Sequence, residues 1–305
     1  MSQNDLLEKL KDIAGESQVR TDEPMSSHTT FRIGGTADYF VMPSSVEELQ
    51  AIIRLLKKSD MNYYVIGNGS NLLVGDKGFR GVIIQLSDAF DKVEYIDDVT
   101  VKAMSGMKLS RLGNRLSDKG LAGFEVATGI PGTIGGAVRM NAGAYGGEIK
   151  DIIVSAEVLD QNGDIHTLGK DELELGYRTS CIMKYGYIVV SATLKLSKGN
   201  TDEIKENIKE LSQKRRMKQP LEYPSAGSTF KRPEGYFAAK LIEDAGLKGL
   251  SAGDAQVSEK HAGFVVNKGR ATAKDVCELT DKIKEEVLKK SGVKLELEVV
   301  KIGEF

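Results

Sequence analysis

The feature that most constrains this chain is a glycine-dense stretch at residues 123–147, GFEVATGIPGTIGGAVRMNAGAYGG. Eight of its 25 residues are glycine, yet Ile130, Ile134, Val138 and Met140 replace the Ser, Lys and Glu of a typical surface linker. Glycine is needed where φ is positive or where a neighbour leaves no space for a Cβ. The apolar residues predict that these glycines are buried. Such a backbone favours a site for a large, flat, phosphate-bearing cofactor, and a tightly packed structural turn is the alternative.

Composition narrows the class of protein. The chain has 305 residues, enough for two or three domains, and its 40% hydrophobic and 28% charged content is ordinary for a globular protein. A net charge of −2 predicts neither nucleic-acid binding nor a membrane-surface role. Cys181 and Cys277 are too few for a disulfide framework, and the three histidines are never at metal-ligand spacing. Without a signal peptide or a long apolar run, we expect a cytoplasmic protein that has no metal site.

Hydrophobic periodicity and capping signals predict the order of helices and strands. Helices are expected at 4–14, directly after Ser44 and Ser45, and at 109–119, 200–218, 235–245 and 272–290. Strands are expected at 37–42, 63–67, 72–74, 81–86, 92–96, 99–104, 151–160, 164–168, 186–196 and 294–300, with a hairpin turn at Asn162-Gly163. The predicted domains are 1–80, 81–215 and 216–305.

The loop GNGSN at residues 67–71 lies between two predicted strands. It does not match the dinucleotide fingerprint, because Leu72 occupies the third glycine position, and it is not a nucleotide-hydrolase phosphate loop. It can turn successive N–H groups toward an anion, with Ser70 and Asn71 as further partners, although a hairpin turn explains it as well. Together, the two glycine loops favour a diphosphate cofactor.

Three polar residues are candidate catalytic groups, and each has an ordinary alternative. Arg178, in GYRTS, has the planar fork that binds carboxylates, but it also fits a solvated surface loop. Ser228 lies in a proline-bounded loop near Lys231 and Arg232, where a turn serine is common, and no GxSxG marks it as a hydrolase nucleophile. Glu298 lies on the polar face of the predicted last strand, which is usually a solvent face.

Seven segments occur in the order and at the spacing of one family: HTTFRIGG, GNGSNLLV, GIPGTIGGAVRMNAGAYG, GYRTS, PSAGSTFKRP, AAKLIEDAGLKG and LELEVVKIG. The chain thus resembles the UDP-N-acetylenolpyruvoylglucosamine reductases, FAD enzymes of bacterial cell-wall synthesis. The resemblance implies an α+β fold, in which two small α/β subdomains form an FAD-binding unit of the vanillyl-alcohol-oxidase (PCMH) type, followed by a C-terminal α/β substrate-binding domain. GYRTS runs almost directly into GYIVVSATLKL, without the inserted segment and substrate-contacting Tyr of the longer type, so the chain resembles the shorter type.

The resemblance also implies an activity. It implies NADPH-dependent, FAD-mediated reduction of the enolpyruvyl ether of UDP-N-acetylglucosamine to UDP-N-acetylmuramate, with hydride passing from flavin N5 to the methylene carbon. This step of peptidoglycan synthesis bears on cell shape and division. Because neither glycine loop contains His or Cys, we expect FAD to be noncovalent. A UDP-sugar substrate and a monomer are expected, with no nucleic-acid or membrane partner.

Residue roles follow from matching the motifs position by position. The catalytic groups fall on Arg178, on Ser228 as the proton donor and on Glu298. Substrate contacts fall on Tyr177, Lys218 and Lys231, although the loop between Lys218 and Ser228 is shorter than in the longer type. The implied FAD contacts are Asn68, Gly69, Ser70, Asn71, Gly129, Ile130, Pro131, Gly132, Thr133, Gly135, Gly136, Ala137, Ala142 and Gly143.

Two other interpretations stay open at this stage. One is a flavin oxidase of the same fold that acts on another alcohol or sugar. The other is a cofactor-binding or scaffold protein that has no reductase activity. The segments PSAGSTFKRP and LELEV distinguish the reductase from both of these alternatives. Both segments belong to the substrate domain of the reductases and have no role in merely holding FAD.

Overall fold

The structure is a computed structural model that describes residues 3–305. Its helices are α1 Gln3–Ala14, α2 Val46–Lys58, α3 Leu109–Asp118, α4 Glu125–Thr128, α5 Ile134–Met140, α6 Cys181–Tyr185, α7 Thr201–Lys218, α8 Ala238–Asp244 and α9 Ala273–Ser291. Short 3₁₀ turns lie at Glu16–Gln18, Met25–His28, Asp88–Phe90 and Ile149–Asp151.

The strands form a mixture of small and medium sheets. They are β1 Val19–Pro24, β2 Thr36–Val41, β3 Tyr63–Ile66, β4 Leu72–Val74, β5 Phe79–Gln85, β6 Val93–Tyr95, β7 Thr100–Met104, β8 Leu121–Ala122, β9 Gly143–Ala144, β10 Gly147–Glu148, β11 Ile153–Leu159, β12 Ile165–Gly169, β13 Ile188–Lys195, β14 Ser197–Lys198, β15 Ser251–Ala252, β16 Ala255–Val257, β17 Val265–Asn267 and β18 Val300–Ile302. One sheet has the order β1-β2-β5-β3, with β3 and β5 parallel, and another the order β12-β11-β13-β7-β6, antiparallel throughout. The predicted mixture of helices and strands is confirmed.

Helix α2 illustrates how local sequence determines an element. Ser45 Oγ accepts a hydrogen bond from the Glu48 N–H at 3.2 Å, and Ser44 N–H donates to Glu48 Oε2 at 2.7 Å. The serine cap therefore satisfies a first-turn donor that has no intrahelical partner. The buried face of the helix consists of Leu49, Ile52, Ile53 and Leu56, as the apolar spacing predicts.

Backbone contacts divide the chain into two compact units. The first unit comprises residues up to 21, 39–68 and 81–213, and the second comprises 22–38, 69–80 and 214–305. The first unit contains the five-stranded antiparallel sheet and two apolar cores, one around Phe124 and Ile134 and one around Ile53. The second unit has a single core, around Val276 and Ile283 of α9. The division into three domains at residues 80 and 215 stays a prediction.

The expectation of buried glycines in residues 123–147 is wrong. All eight are exposed or half-buried, whereas Ile134 and Val138 are buried. The physical reason is the orientation of α5, which turns Ile134, Ala137 and Val138 into the core. Gly136 on the opposite face is exposed, and a Cβ there would meet nothing closer than Thr133 Oγ1 at 3.9 Å within the described chain, so no side chain covers its backbone.

Two predicted boundaries also need correction. The helix predicted at 235–245 begins only at Ala238, because Gly235 has a φ of +75° that a right-handed helix does not accept. The strand predicted at 294–300 is mostly irregular. Within it Leu297 forms an isolated antiparallel bridge with Phe230, and the regular strand is β18, which pairs in parallel with β4.

Candidate active site

A cavity of about 320 Å³ lies in the first unit, beside the two glycine loops. Strand β3, the start of β13 and helix α5 all contribute to its walls. Its lining includes Tyr63, Tyr64, Gly67, Ser105, Thr133, Gly135, Gly136, Arg139, Gln161 and Tyr187. It therefore combines aromatic rings, uncovered backbone and one guanidinium-bearing residue, a combination suited to a nucleotide-like ligand.

Close packing explains why glycine is required in this wall. A Cβ on Gly67 would lie 2.3 Å from Thr133 Oγ1, and a Cβ on Gly135 would lie 2.9 Å from the Cβ of Ser105. Neither neighbour is the flexible end of a long side chain, so neither can move away cheaply. The GNGSN loop thus begins directly against the N-cap residue of α5, as the idea of one shared cofactor site requires.

Ser105 is the most informative polar residue of the cavity. It is 2% exposed, and within residues 3–305 its Oγ has no hydrogen-bond partner. A buried hydroxyl without a partner costs free energy, so natural proteins rarely retain one without a reason. Because Ser105 lines the cavity, a bound cofactor that brings its own polar atoms would satisfy it.

The residues predicted to contact FAD fall in both units. Asn68 and residues 129–143 belong to the first unit, and residues 69–71 belong to the second. Of this set, the cavity lining includes Thr133, Gly135 and Gly136. Thr133 and Ala137 are buried, Gly129, Pro131 and Gly136 are exposed, and Gly132, Gly135, Ala142 and Gly143 are half-buried, as are Asn68 and Ile130.

Arg178 lies in the first unit on a tight turn that we call the arginine turn, residues 176–180. Gly176 and Thr179 exchange backbone hydrogen bonds of 3.1 and 3.4 Å across it. Arg178 has a φ of +53°, a conformation that non-glycine residues rarely adopt. Its guanidinium lies 5.1 Å from the centre of the Tyr177 ring, and its Nη2 donates to the Gly143 carbonyl at 3.4 Å. The turn therefore presents a half-buried arginine beside the end of the glycine-dense stretch.

Ser228 and Glu298 lie in the second unit on adjoining segments. Glu298 N–H donates to the Thr229 carbonyl at 2.9 Å, and Lys231 N–H donates to the Glu296 carbonyl at 2.8 Å. We call residues 225–231 the serine segment. Ser228 directly precedes Thr229, the hydrogen-bond partner of Glu298. The side chain of Ser228 is exposed.

The GNGSN loop also contacts the Glu298 backbone, through Asn71. Its Nδ2 donates to the Glu298 carbonyl at 3.1 Å, and its carbonyl accepts from Val300 N–H at 2.9 Å. Both groups lie in the second unit. Asn71, a predicted cofactor residue, is therefore hydrogen-bonded to Glu298, a predicted catalytic residue. Glu298 is in turn hydrogen-bonded to Thr229, which follows the predicted catalytic Ser228 in the chain.

The predicted substrate contacts are found in three settings. Tyr177 is 46% exposed on the arginine turn. Lys218 is the exposed last residue of α7. Lys231 is half-buried on the serine segment, and its Nζ lies 3.4 Å from Glu296 Oε2. All three leave polar groups accessible from solvent.

Several residues of these sites were missed by sequence reasoning. Ser105 and Arg139 line the cavity, Tyr145 has a φ of +52° on the β9–β10 turn, and Asn141 is fully buried with a φ of +42°. His261 packs edge-on against Phe264 at 4.9 Å, and burial lowers its pKa from the usual value. Only Arg139, Asn141 and Tyr145 had a sequence signal, their position within the glycine-dense stretch.

Residues 3–305 lack two features that would indicate other classes of protein. No helix there is long and apolar enough to cross a bilayer. No group of three His, Cys, Asp or Glu residues in that part of the chain is arranged to hold a metal ion.

Comparison with known proteins first defines the class. An FAD-binding domain model matches residues 37–169. The wild-type glucose dehydrogenase Phl p 4.0202 superposes with a TM-score of 0.52 at 15% identity, covering 65% of this chain and 44% of its own, a likeness of fold alone. The chain is thus a flavoprotein whose FAD-binding domain is of the PCMH type, and FAD is its cofactor.

Closer similarities define the family. The UDP-N-acetylenolpyruvoylglucosamine reductase of Clostridioides difficile is 51% identical over 304 residues, covering 100% of both chains. The C-terminal domain model of that reductase matches residues 219–302. The crystal structure of the Thermus caldophilus reductase has a TM-score of 0.79 at 36% identity, covering 93% of this chain and 98% of its own. The chain belongs to the UDP-N-acetylenolpyruvoylglucosamine reductases, FAD oxidoreductases of peptidoglycan precursor synthesis.

The residues of the cavity fit FAD on structural grounds. The unpaired hydroxyl of Ser105 provides a buried hydrogen-bonding group, and Gly136 leaves the backbone of α5 uncovered at its position. A dinucleotide with a diphosphate carries many acceptors and needs close access to backbone N–H groups. Structural packing alone would require neither an unpaired buried hydroxyl nor uncovered backbone in the wall of the cavity.

Proposed function

We propose that this chain reduces the enolpyruvyl ether of its UDP-sugar substrate to UDP-N-acetylmuramate, with NADPH as the hydride donor. When bound, FAD supplies the redox chemistry by carrying hydride from NADPH to the methylene carbon of the substrate. The remaining tasks belong to the protein: it must bind the substrate carboxylate, stabilise developing charge and deliver a proton. Family membership supports the reaction, and contacts within each unit support the assignment of these tasks.

Arg178 is proposed to bind the enolpyruvyl carboxylate. Its guanidinium can form two parallel hydrogen bonds to a carboxylate, which fixes both position and orientation. The left-handed φ of +53° at Arg178 supports this role, because a glycine would fit that conformation without strain. Retaining an arginine there suggests that its side chain is needed.

Ser228 is proposed to protonate the substrate carbon, while Glu298 donates a hydrogen bond from a protonated carboxyl to the developing charge. The observation that carries this assignment is the pair of backbone hydrogen bonds of Glu298, to Thr229 on one side and from Asn71 on the other. They hold the proposed acid, the neighbour of the proposed proton donor and the end of the GNGSN loop together. A serine hydroxyl is a weak acid, but an enol-like carbanion is a strong base, so the transfer is feasible in a fixed geometry.

The finer contacts are part of the same proposal. The UDP-sugar would be held by Tyr177, Lys218 and Lys231. FAD would be held by the residues that the resemblance assigns to it: Asn68, Gly69, Ser70, Asn71, Gly129, Ile130, Pro131, Gly132, Thr133, Gly135, Gly136, Ala137, Ala142 and Gly143. Lys231 and Lys218 are cations that suit the diphosphate of such a substrate. We further propose that the protein acts as a monomer in the cytoplasm.

The test begins with the spectrum of the purified protein. We expect yellow protein, release of all FAD on acid precipitation, and anaerobic bleaching by NADPH. Adding UDP-N-acetylenolpyruvoylglucosamine without oxygen should then restore the oxidised spectrum. Flavin that stays reduced with this substrate and is reoxidised only when oxygen is admitted would instead favour a flavin oxidase. Protein that binds FAD but is not bleached by NADPH would exclude the proposed donor.

A further inference from the structure

Four non-glycine residues with left-handed backbone lie in or next to two segments of the first unit, the end of the glycine-dense stretch and the arginine turn. They are Asn141, with a φ of +42°, Tyr145, with +52°, Glu174, with +47°, and Arg178, with +53°. Each such residue costs about 1–3 kcal/mol unless it is asparagine, whose short polar side chain tolerates the conformation better. Strain of this kind persists only where surrounding bonds hold it in place.

Asn141 provides those bonds. It is the left-handed C-cap residue of α5 and is 0% exposed. Its Nδ2 donates to the Gly176 carbonyl and to Glu148 Oε2, both at 3.0 Å, and its Oδ1 accepts from Lys150 N–H at 2.9 Å. One buried amide therefore connects the end of the glycine-dense stretch to the first residue of the arginine turn.

Two further bonds attach the arginine turn to the same stretch. Ser180 Oγ donates to the Arg139 carbonyl at 2.6 Å, and Arg178 Nη2 donates to the Gly143 carbonyl at 3.4 Å. Asn141 and Ser180 are both buried, at 0% and 2% exposure, whereas Arg178 is half-buried. The bond from Asn141 differs from the Ser180 bond because it holds the start of the turn. It reaches Gly176, which forms one end of the tight turn.

We propose that Asn141 is a positioning residue, which sets the place and conformation of Arg178 relative to the FAD-binding stretch. The inference rests on the role of Arg178 under the proposed function. Asn141 itself touches neither substrate nor cofactor in this account. It acts by fixing Gly176, two residues before the guanidinium-bearing residue.

The choice of asparagine has a physical reason. Glycine would accept the left-handed φ but would make none of the three side-chain bonds. Aspartate would keep the acceptor for Lys150 N–H but would lose both donors and place a second carboxylate beside Glu148. Asparagine alone combines tolerance of this conformation with two donors and one acceptor of the required size.

The experiment compares Asn141→Gly with Leu56→Ala, each as holoenzyme. Leu56 is fully buried in the other core of the first unit, so its truncation destabilises the protein without altering the arginine turn. Stopped-flow absorbance follows flavin reduction by NADPH and its reoxidation by the enolpyruvyl substrate separately. We expect Asn141→Gly to slow reoxidation roughly 10- to 10²-fold, since a misplacement near 1 Å costs about that much. Flavin reduction and FAD content should stay close to wild type, and Leu56→Ala should alter neither phase.

A second variant, Asn141→Asp, adds a readout that a merely structural role would not change. The charged groups around this position are Glu148, Lys150, Asp151 and Arg178. A protonated aspartic acid regains one donor, so reoxidation by this variant, relative to wild type at each pH, should recover as the pH falls from about 8 to about 6. Asn141→Gly should show no such recovery.

The double variant separates this inference from the proposed function. If Arg178→Lys slows reoxidation and Asn141→Gly adds little to it, the two residues act through one element. If Arg178→Lys slows reoxidation but Asn141→Gly does not, the positioning role is wrong and the role of Arg178 stands. If Arg178→Lys leaves reoxidation normal, the proposed function of Arg178 fails. Equal slowing of both phases by Asn141→Gly would mean a misplaced flavin and would also reject the inference.

Discussion

The arginine turn and the serine segment carry proposed catalytic groups but are held by different kinds of bond. In the arginine turn, Arg178 has a left-handed backbone, and the attachments come from the side chains of Asn141, Ser180 and Arg178 itself. In the serine segment, neither Ser228 nor Glu298 has a positive φ. Glu298 is attached there through its own main-chain groups: its N–H donates to the Thr229 carbonyl, and its carbonyl accepts from Asn71 Nδ2. Arg178 is therefore held partly by its own side chain, whereas Glu298 is held through its main-chain groups.

This difference predicts different responses to mutation. Exchange of a side chain leaves main-chain bonds in place, so variants of the serine segment should lose chemistry while keeping structure. Variants of the arginine turn should change both, because the same side chains perform the function and maintain a strained conformation. Half-reaction kinetics and stability, measured on the same variants, distinguish the two behaviours.

The largest effect is expected for Ser228→Ala. Loss of the proton donor should slow reoxidation by substrate by about 10²–10⁴-fold, whereas flavin reduction by NADPH needs no such proton and should be nearly normal. Because Ser228 is exposed, the free energy of unfolding should change by no more than about 0.5 kcal/mol. Stopped-flow absorbance and urea unfolding measure both quantities. Ser251→Ala, an exposed serine of the same unit, is the matched control, and normal reoxidation in Ser228→Ala would remove Ser228 from the mechanism.

Arg178→Lys should have the next largest effect. Lysine keeps the charge but loses the planar fork, so turnover should fall roughly 10- to 10²-fold while FAD content is retained. Steady-state rates and the flavin spectrum check this. Near-normal turnover would show that Arg178 is an ordinary loop arginine without a catalytic role.

Arg178→Gly sharpens the same comparison. Glycine relieves the left-handed strain, so this variant should be more stable by up to about 1 kcal/mol, although its turnover should be no higher than that of Arg178→Lys. No comparable gain is expected anywhere in the serine segment, where Ser228 has ordinary backbone. A less stable Arg178→Gly would show that the side-chain contacts of Arg178 outweigh the strain.

A smaller effect is expected for Gly136→Ala. A Cβ there would meet nothing closer than Thr133 Oγ1 at 3.9 Å within the described chain, so the apoprotein should gain roughly 0.5–1 kcal/mol from better helix propensity. The same methyl group would occupy the space beside the uncovered backbone where FAD is proposed to bind. FAD affinity should therefore fall about tenfold. Thermal unfolding of apoprotein and fluorescence titration with FAD test the two effects. Unchanged affinity would place FAD away from Gly136.

The smallest effect concerns His261 and pH. Burial lowers the pKa of His261, so at acidic pH the unfolded chain binds a proton that the folded protein resists. Stability should therefore fall as the pH drops below about 6.5, the usual value for the unfolded state. His261→Asn keeps an acceptor for Gly263 N–H and cannot take up that proton, so its loss of stability from about pH 7.5 to about pH 5.5 should be smaller. Urea unfolding at each pH checks this, with His166→Asn as the histidine-deletion control. Equal pH dependence in wild type and His261→Asn would contradict the assignment.

Much of the fold could be predicted because its signals are local. The strand 72–74 has the predicted bounds, the hairpin β11–β12 turns around Asn162-Gly163, and α2 begins after the serine pair. Each depends on neighbours within a few residues, through caps, alternation and turn geometry. The last strand could not be placed in this way, because Leu297 pairs with Phe230 rather than with a regular strand.

The sequence by itself determined the family, the flavin cofactor and the identity of the candidate catalytic residues, because ordered motifs encode them residue by residue. Only the tertiary structure decided how those residues are held. The bond from Asn141 to Gly176 spans 35 residues, that from Asn71 to Glu298 spans 227, and the hydroxyl of Ser105 is left unpaired by packing around the cavity. Glycine burial was mispredicted for the same reason. Periodicity shows which face of α5 is apolar, but only packing shows that the opposite face carries uncovered backbone.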